Sequence, residues 1–410
     1  MKKRTIDDLN LSGKRVLMRV DFNVPFSDGK ISDDSRIRAA LPSINKVLQD
    51  GGKLVLASHM GRPKGEKKPE LSLAPIAEHL SSLLSTTVKM APDVVGDEVT
   101  KMAENLESGQ VLLLENTRFY HEEEGKKCSE EEQETFARKL SELADVYVND
   151  AFGTAHRAHA STAVVCRFIQ TNVAGYLMQK ELDFLGGSVE NPERPFLAII
   201  GGAKVSGKLE VLQSLMNKVN VLLIGGGMAY TFLKAQGHAV GDSMVEDDLI
   251  DTAKKTMQQA EDNGVKFMLP QDHVVGDKFD ENAQQQTVGL EIPDNWLGLD
   301  IGPKTVEAYG NEIRNAKTVV WNGPMGCFEM APFAKGTMDI CKVIADANVT
   351  SIIGGGDSVS AVSQSGVADK MTHISTGGGA FLLVLGSFVL SILIAIVAVI
   401  AGVGGGAATL

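Results

Sequence analysis

Aromatic residues are scarce in this chain: 5% of 410 positions, with only two Trp. Stacking platforms for bases or sugars are therefore not expected in number. Cysteine is scarcer than usual too. The four thiols stand at 128, 166, 327 and 341, and no two are spaced as CxxC, so neither a zinc site nor a dithiol redox motif is read from them. A reducing compartment, the cytoplasm, fits that usage. Basic charge is in deficit, 40 Lys and Arg against 52 Asp and Glu, for a formal net charge of −12. Binding to a phosphate backbone needs a basic face, so no nucleic-acid partner is expected, although a local basic pocket remains open. With 43% hydrophobic and 22% charged residues, disorder is excluded. No apolar run follows Met1-Lys2-Lys3-Arg4, and the expectation is a chain without a signal peptide.

What the chain has in quantity is glycine, 42 residues, and apolar runs that alternate with helix-length amphipathic segments. Strands are predicted at 16–20, 53–58, 111–114 and 145–149, with helices at 33–50, 72–84 and 129–143. The last opens on a Ser129-to-Glu132 capping box. Further on, strands are predicted at 196–200, 221–224, 265–269, 318–321 and 350–353. Helices at about 204–217, 227–236, 246–263, 333–347 and 357–365 separate them. Such alternation predicts an α/β protein with two Rossmann-like domains, their parallel sheets flanked by helices. The stretch 171–187, ending Leu185-Gly186-Gly187, reads as the connector between domains at 1–170 and 188–379.

The two halves end their strands differently. Arg and His close the first half's strands: Arg19-Val-Asp21, His59-Met-Gly-Arg62, Glu115-Asn-Thr-Arg118 and His156-Arg157-Ala-His159. Glycines close the second half's: Gly201-Gly202, Gly225-Gly-Gly227, Asn322-Gly-Pro-Met-Gly326 and Gly354-Gly-Gly356. Ligands of open α/β sheets bind beyond the carboxyl ends of strands. Guanidinium forks hold carboxylate or phosphate in bidentate fashion, so Arg19, Arg36, Arg62, Arg118 and Arg157, with His59, His156 and His159, suit a small polyanion. Asp21 and Asn23 share the first loop and can accept a ligand hydroxyl.

Gly202-Ala-Lys204-Val-Ser-Gly207-Lys208-Leu209 nearly matches the phosphate loop GxxxxGK[ST], but Leu209 replaces the metal-binding hydroxyl. Lys204 and Lys208 are either phosphate contacts or neighbouring lysines on one helix face. Asp357, after Gly355 and Gly356, is either an N-cap or a Mg²⁺ contact. Asn322 can donate to a phosphate, Pro324 can pack on a base, and Glu329 can accept from ribose hydroxyls.

Taken in order, these strings resemble the phosphoglycerate kinase family. Arg19-Val-Asp-Phe-Asn-Val-Pro25, Ser58-His-Met-Gly-Arg-Pro63, Glu115-Asn-Thr-Arg-Phe119, Asn149-Asp-Ala-Phe-Gly-Thr-Ala-His-Arg-Ala-His159, Gly201-Gly-Ala-Lys-Val205, Trp321-Asn-Gly-Pro324, Gly354-Gly-Gly-Asp357 and Ser375-Thr-Gly-Gly-Gly379 carry the likeness, which spans about residues 5–380. The resemblance implies reversible phosphoryl transfer between 1,3-bisphosphoglycerate and Mg-ADP, giving 3-phosphoglycerate and Mg-ATP, in glycolysis and gluconeogenesis. It implies that 1–170 binds the triose phosphate through Asp21, Asn23, Arg36, His59, Arg62, Arg118 and Arg157. It implies that 188–379 binds the nucleotide through Lys208, Asn322, Glu329, Gly355, Gly356, Asp357 and Ser358, with Asp357 facing the Mg²⁺. Arg36, Lys204 and Lys208 become the catalytic groups, 171–187 the hinge on which the domains close, and the enzyme a cytoplasmic monomer.

The tail departs from that family, which continues after Gly379 with a serine and a short acidic helix. Here Ala380-Phe381-Leu382 opens 24 uncharged residues, 380–403. As a helix the run is long enough to span a bilayer, so a membrane anchor is one expectation. A tail buried against the body and an altered terminus are the other two. Rival functions fare worse. A P-loop ATPase lacks its hydroxyl at Leu209, and an ATPase has no need of the arginine-rich first half. A dehydrogenase lacks G-x-G-x-x-G after the first strand. A membrane-bound scaffold without activity sits poorly with an intact Arg36, Arg118, Lys208 and Asp357.

Overall fold

Strands covered on both faces must be apolar on both faces, and that is how this chain's central strands read. The computed structural model describes residues 5–386. Within it the chain divides at Leu182/Asp183 into two compact units. The strands of the first are β1 (Arg15–Arg19), the small hairpin of β2 (Phe26–Ser27) and β3 (Lys30–Ile31), β4 (Lys53–Ala57), β5 (Val88–Met90), β6 (Val111–Leu113), β7 (Val146–Asn149) and β8 (Asn172–Ala174). Leaving the hairpin aside, they form one parallel sheet in the order β5-β6-β4-β1-β7-β8. Its side chains alternate between two apolar clusters: Val16, Met18, Leu54 and Leu56 enter one, while Leu17, Val55, Leu112 and Tyr147 enter the other. Each such buried aliphatic contributes roughly 1.5–3 kcal/mol. The helices α1 (Ser35–Gln49), α2 (Ala74–Leu84), α3 (Asp97–Glu104), α4 (His121–Glu124) and α5 (Glu130–Ser141) fill the connections. At the start of α5 the expected capping box forms, with Ser129 Oγ accepting from the Glu132 amide at 3.2 Å and Glu132 accepting from the Ser129 amide at 2.7 Å.

α6 (Tyr176–Glu190) carries the chain across the division and overlaps the stretch 171–187. The second unit has β9 (Phe196–Ile200), β10 (Val221–Ile224), β11 (Lys266–Met268), β12 (His273–Gly276), β13 (Gln285–Val288), β14 (Leu297–Ile301), β15 (Thr318–Asn322), β16 (Thr350–Gly354) and β17 (His373–Ile374). Six of them make a second parallel sheet, β11-β10-β9-β15-β16-β17. A separate antiparallel sheet, β13-β12-β14, was not foreseen, because Gln285–Val288 is polar and exposed and shows no apolar run. The helices here are α7 (Leu209–Leu215), α8 (Met228–Ala235), α9 (Ile250–Asp262), α10 (Pro303–Asn315), α11 (Lys335–Asp346), α12 (Gly356–Gln364) and α13 (Gly378–Gly386). α7 starts five residues later than expected. Residues 201–208 instead form a loop, with Gly202 at φ +105 and a turn closed by the Lys208 amide on the Val205 carbonyl, 2.8 Å.

The central strands β9 and β15 mark where the strand order reverses, and their glycines have a structural task there. Gly201 donates to the Asn322 carbonyl, Gly202 to the Pro324 carbonyl and Gly226 to the Met325 carbonyl, at 2.9–3.1 Å. A Cβ on Gly323, itself at φ +93, would lie 2.3 Å from the Gly201 carbonyl oxygen. Backbone packs on backbone, and no side chain fits. Gly323→Ala is therefore expected to destabilise the second unit by at least ~2 kcal/mol. Gly207→Ala, with its nearest neighbour 4.0 Å away, is expected to be close to neutral in the same thermal and urea unfolding measurements.

The expectation of a membrane segment over 380–403 is corrected. Among the described residues no helix is long and apolar enough to cross a membrane. The run's opening residues are committed to the second unit: Ala380, Phe381 and Leu385 of α13 are 0–1% exposed. Apolarity there serves packing beside β16 and α7. The rest of the run, from 387, lies outside the described residues.

Candidate active site

In the first unit the segments that follow β4, β6 and β7 converge on a cavity of about 870 Å³, lined by Arg62, Arg118, His156, Arg157 and His159 together with Lys64, Tyr120, His121, Glu124, Lys126 and Lys127. Arg118 sits in the short turn after β6, only 6% exposed. It donates to the Gly61 carbonyl at 2.8 Å and pairs with Glu124 at 3.2 Å. Arg157 donates to His156 Nε2 at 3.2 Å. Arg36, from the first turn of α1, faces the first loop: it donates to the Asn23 carbonyl at 3.0 Å and meets both oxygens of Asp21 at 3.4 Å. Asn23 Oδ1 accepts from the Gly61 amide at 2.8 Å, tying that loop to the one after β4. Arg62 is exposed at the cavity edge.

Arg19 does not join this set. It is fully buried, donating to Ser161 Oγ at 2.8 Å and to His59 Nδ1 at 3.1 Å, with Glu123 at 3.9 Å. Glu123 is itself buried and accepts from the Ser161 amide and hydroxyl at 2.9 and 2.6 Å. The Arg19–Glu123 pair is a brace beneath the cavity. Residues 121–127 escaped the sequence reading because His121-Glu-Glu-Glu124 looks like an acidic surface turn; the signal was Lys126-Lys127 directly after Gly125.

His59, His156 and His159 are held toward the neutral form. Burial, then the charges of Arg19 and Arg118, drives His59 well below its usual range. His59 Nδ1 also lies 3.9 Å from Asp21, but a neutral ring forms no ion pair, so it accepts from Arg19 instead. Burial holds His156 down to about 4 and His159 to about 3, with neighbouring arginines adding to both. His156 Nδ1 and His159 Nδ1 are buried without a hydrogen-bond partner, and both residues line the cavity. Since the unfolded chain binds these protons near pH 6.5, folding stability is full above that value and is lost as pH falls toward 4 and 3. The melting temperature should accordingly drop on acidification from pH 7 to 4. His159→Gln should flatten that drop, and an unchanged slope would contradict this electrostatic account.

In the second unit Lys208, at the start of α7, donates from Nζ to Asn322 Oδ1. Asn322 ends β15, is 1% exposed, and gives its Nδ2 to the Gly354 carbonyl at 2.8 Å. Burial pushes the Lys208 ammonium down to about 8, while the Asp357 carboxylate opposes that shift. Gly355, at φ +97, occupies the N-cap position of α12, so Asp357 falls in the helix's first turn and caps nothing. It is exposed, and among the described residues it makes no hydrogen bond or ion pair. An unspent carboxylate beside a lysine fits Mg²⁺, which takes one or two carboxylates and fills its remaining positions with water and phosphate oxygens.

Other expected contacts fall differently. Ser358 is fully buried and its Oγ accepts from the Gly323 amide at 2.6 Å, so its hydroxyl braces the loop and is not open to a ligand. Pro324 is buried and offers no face to a base. Lys204, Glu329 and Gly356 are exposed near this group of loops. Lys208, Asn322 and Asp357 are brought together, Lys208 by a hydrogen bond to Asn322 and by its charge beside Asp357.

Comparison with known proteins identifies the family. The family model described as phosphoglycerate kinase matches residues 6–387. The phosphoglycerate kinase of Chloroherpeton thalassium is 54% identical over 386 residues, covering 93% of this chain and 96% of its own. That of Clostridium tetani is 55% identical over 383 residues, covering 93% and 94%. Among solved structures, phosphoglycerate kinase from Coxiella burnetii matches with a TM-score of 0.85 at 38% identity, covering 97% of this chain and 100% of that one. The match reaches into α13, so the first residues of the apolar run lie within the family's own span. A basic cavity at one parallel sheet, a lysine–asparagine–aspartate group at the other, and likeness over nearly the whole length place this chain in the phosphoglycerate kinase family.

Proposed function

We propose that the chain transfers a phosphoryl group reversibly between the carboxyl group of 3-phosphoglycerate and Mg-ATP, forming 1,3-bisphosphoglycerate and Mg-ADP. The first unit is the triose-phosphate domain, the second the nucleotide domain, and 171–187 the hinge. The observation that carries this reading is the Lys208–Asn322–Asp357 group in a chain that also holds an arginine-lined cavity. Arg36, Arg62, Arg118 and Arg157 hold the phosphate and carboxylate, and Asp21 and Asn23 orient the hydroxyl. His59 supports that set from beneath as a neutral ring.

The acceptor is a carboxylate, already ionised at neutral pH, so no general base is needed. Catalysis then rests on position and on fixed positive charge against the equatorial oxygens of the phosphoryl group. Lys208 and Arg36 supply that charge, with Lys204 at the mouth of the loop. Asp357 would hold the Mg²⁺, which when bound neutralises charge on the nucleotide's phosphates. Gly355 and Gly356 leave room for those phosphates, and Glu329 receives the ribose. The working form is a cytoplasmic monomer; four free cysteines suit a reducing compartment.

The test is a coupled assay of purified full-length protein with Mg-ATP. Turnover is expected with 3-phosphoglycerate and none with glycerol 3-phosphate, which keeps the phosphate and lacks the carboxylate. Equal turnover of both would sink the proposed acceptor chemistry.

A further inference from the structure

The loop that carries Asp357 rests on residues of α13. A Cβ on Gly354 would fall 2.2–2.5 Å from ring atoms of Phe381, so the ring occupies the space a side chain at 354 would need and packs directly against the Gly354 backbone. A Cβ on Gly378 would lie 3.1 Å from Gly355 Cα and 3.3 Å from the Gly356 nitrogen, so the first turn of α13 abuts the next two glycines as well. Phe381 is 0% exposed, and its amide donates to the Gly377 carbonyl at 2.7 Å. From Gly354 the contact continues into the site. The Gly354 carbonyl accepts from Asn322 Nδ2, and Asn322 Oδ1 accepts from Lys208 Nζ. An amide with both ends engaged has one orientation, and its orientation depends on where the Gly354 carbonyl stands.

We propose that Phe381 is a positioning residue for the nucleotide half of the site: its ring fixes the Gly354 carbonyl, which orients Asn322 and thereby holds Lys208. This inference rests on the phosphoglycerate kinase reading and adds a residue to it. Phe381 touches no substrate. It acts by filling the space under a loop made of glycines, which have no side chains of their own to hold it. Removing the ring leaves a cavity into which the Gly354–Gly356 backbone relaxes, and a displacement of a fraction of an ångström there is passed to Lys208 through two hydrogen bonds.

The test is a steady-state comparison of full-length wild type with Phe381→Ala. The KM for Mg-ATP is expected to rise, and kcat to fall, each by roughly tenfold, with the KM for 3-phosphoglycerate within about twofold, because the triose contacts lie elsewhere. Phe381→Leu, which refills most of the space, should restore most of the loss. Gly354→Ala, whose methyl group collides with the ring, should be impaired alone and recover when combined with Phe381→Ala. If Phe381→Ala does not fold, Phe381→Val carries the same comparison. Parallel changes in both KM values, or in neither, overturn the inference. An inactive wild type would instead overturn the kinase reading, so the two failures are distinguishable.

Discussion

Lys208→Ala is expected to lower kcat by a factor of hundreds or more, roughly 3–4 kcal/mol of transition-state stabilisation, while 3-phosphoglycerate still binds. Lys208 provides a half-buried cation in the second unit's site, and its partner Asn322 is held independently through Gly354. Alanine therefore removes charge while leaving the loop standing. The same residue sets a pH limit. Burial lowers its ammonium to about 8, so kcat/KM for the nucleotide, which reports the free enzyme, should fall as pH rises through about 8. Lys208→Arg stays charged over that range and should remove the fall, whatever it costs in rate. Near-wild-type kcat for Lys208→Ala would remove the residue from the mechanism.

Arg36→Met is expected to reduce kcat/KM for 3-phosphoglycerate by roughly 10²–10³-fold, with nucleotide binding unchanged. Arg36 is chosen over Arg118 on structural grounds. Arg118 is 6% exposed, tied to Gly61 and Glu124, so its loss would damage the fold as well as the site. Arg36 keeps about a third of its side chain exposed, at 36%, and its bonds to Asp21 are long at 3.4 Å. It is held in place yet retains donors for a ligand. Steady-state kinetics with each substrate varied in turn would check the split: the KM for 3-phosphoglycerate should rise while that for Mg-ATP stays, and an equal rise in both KM values would count against it.

Much of this is legible in the sequence. Val221–Ile224 and Phe196–Ile200 are strands where the apolar runs predicted them, because a strand buried on both faces leaves an unbroken signature. Ser129 and Glu132 cap α5 because both partners lie within one turn. What failed depended on distant partners. Gly201 and Gly323 read as glycines at strand ends where a ligand binds, yet each is glycine because the other's backbone occupies its Cβ position, 122 residues away by sequence number. Arg19 read as a ligand-facing strand end, and only Glu123 and Ser161 turn it inward. Ser358 stood in a phosphate-loop string, but its hydroxyl belongs to Gly323. The apolar run from Ala380 left a membrane anchor, a tail buried against the body and an altered terminus all open, because composition cannot tell a lipid-facing leucine from one packed on a neighbouring helix. Phe381 and Leu385 are of the second kind.

The central claim is a division of labour: one unit holds the triose phosphate, the other the nucleotide. Calorimetric titration of wild type, Arg36→Met and Lys208→Ala with 3-phosphoglycerate and with Mg-ADP tests it directly. The account predicts a crossed pattern, in which Arg36→Met loses affinity for 3-phosphoglycerate alone and Lys208→Ala loses affinity for Mg-ADP alone. The reverse pattern, or the same ligand lost by both variants, would contradict it.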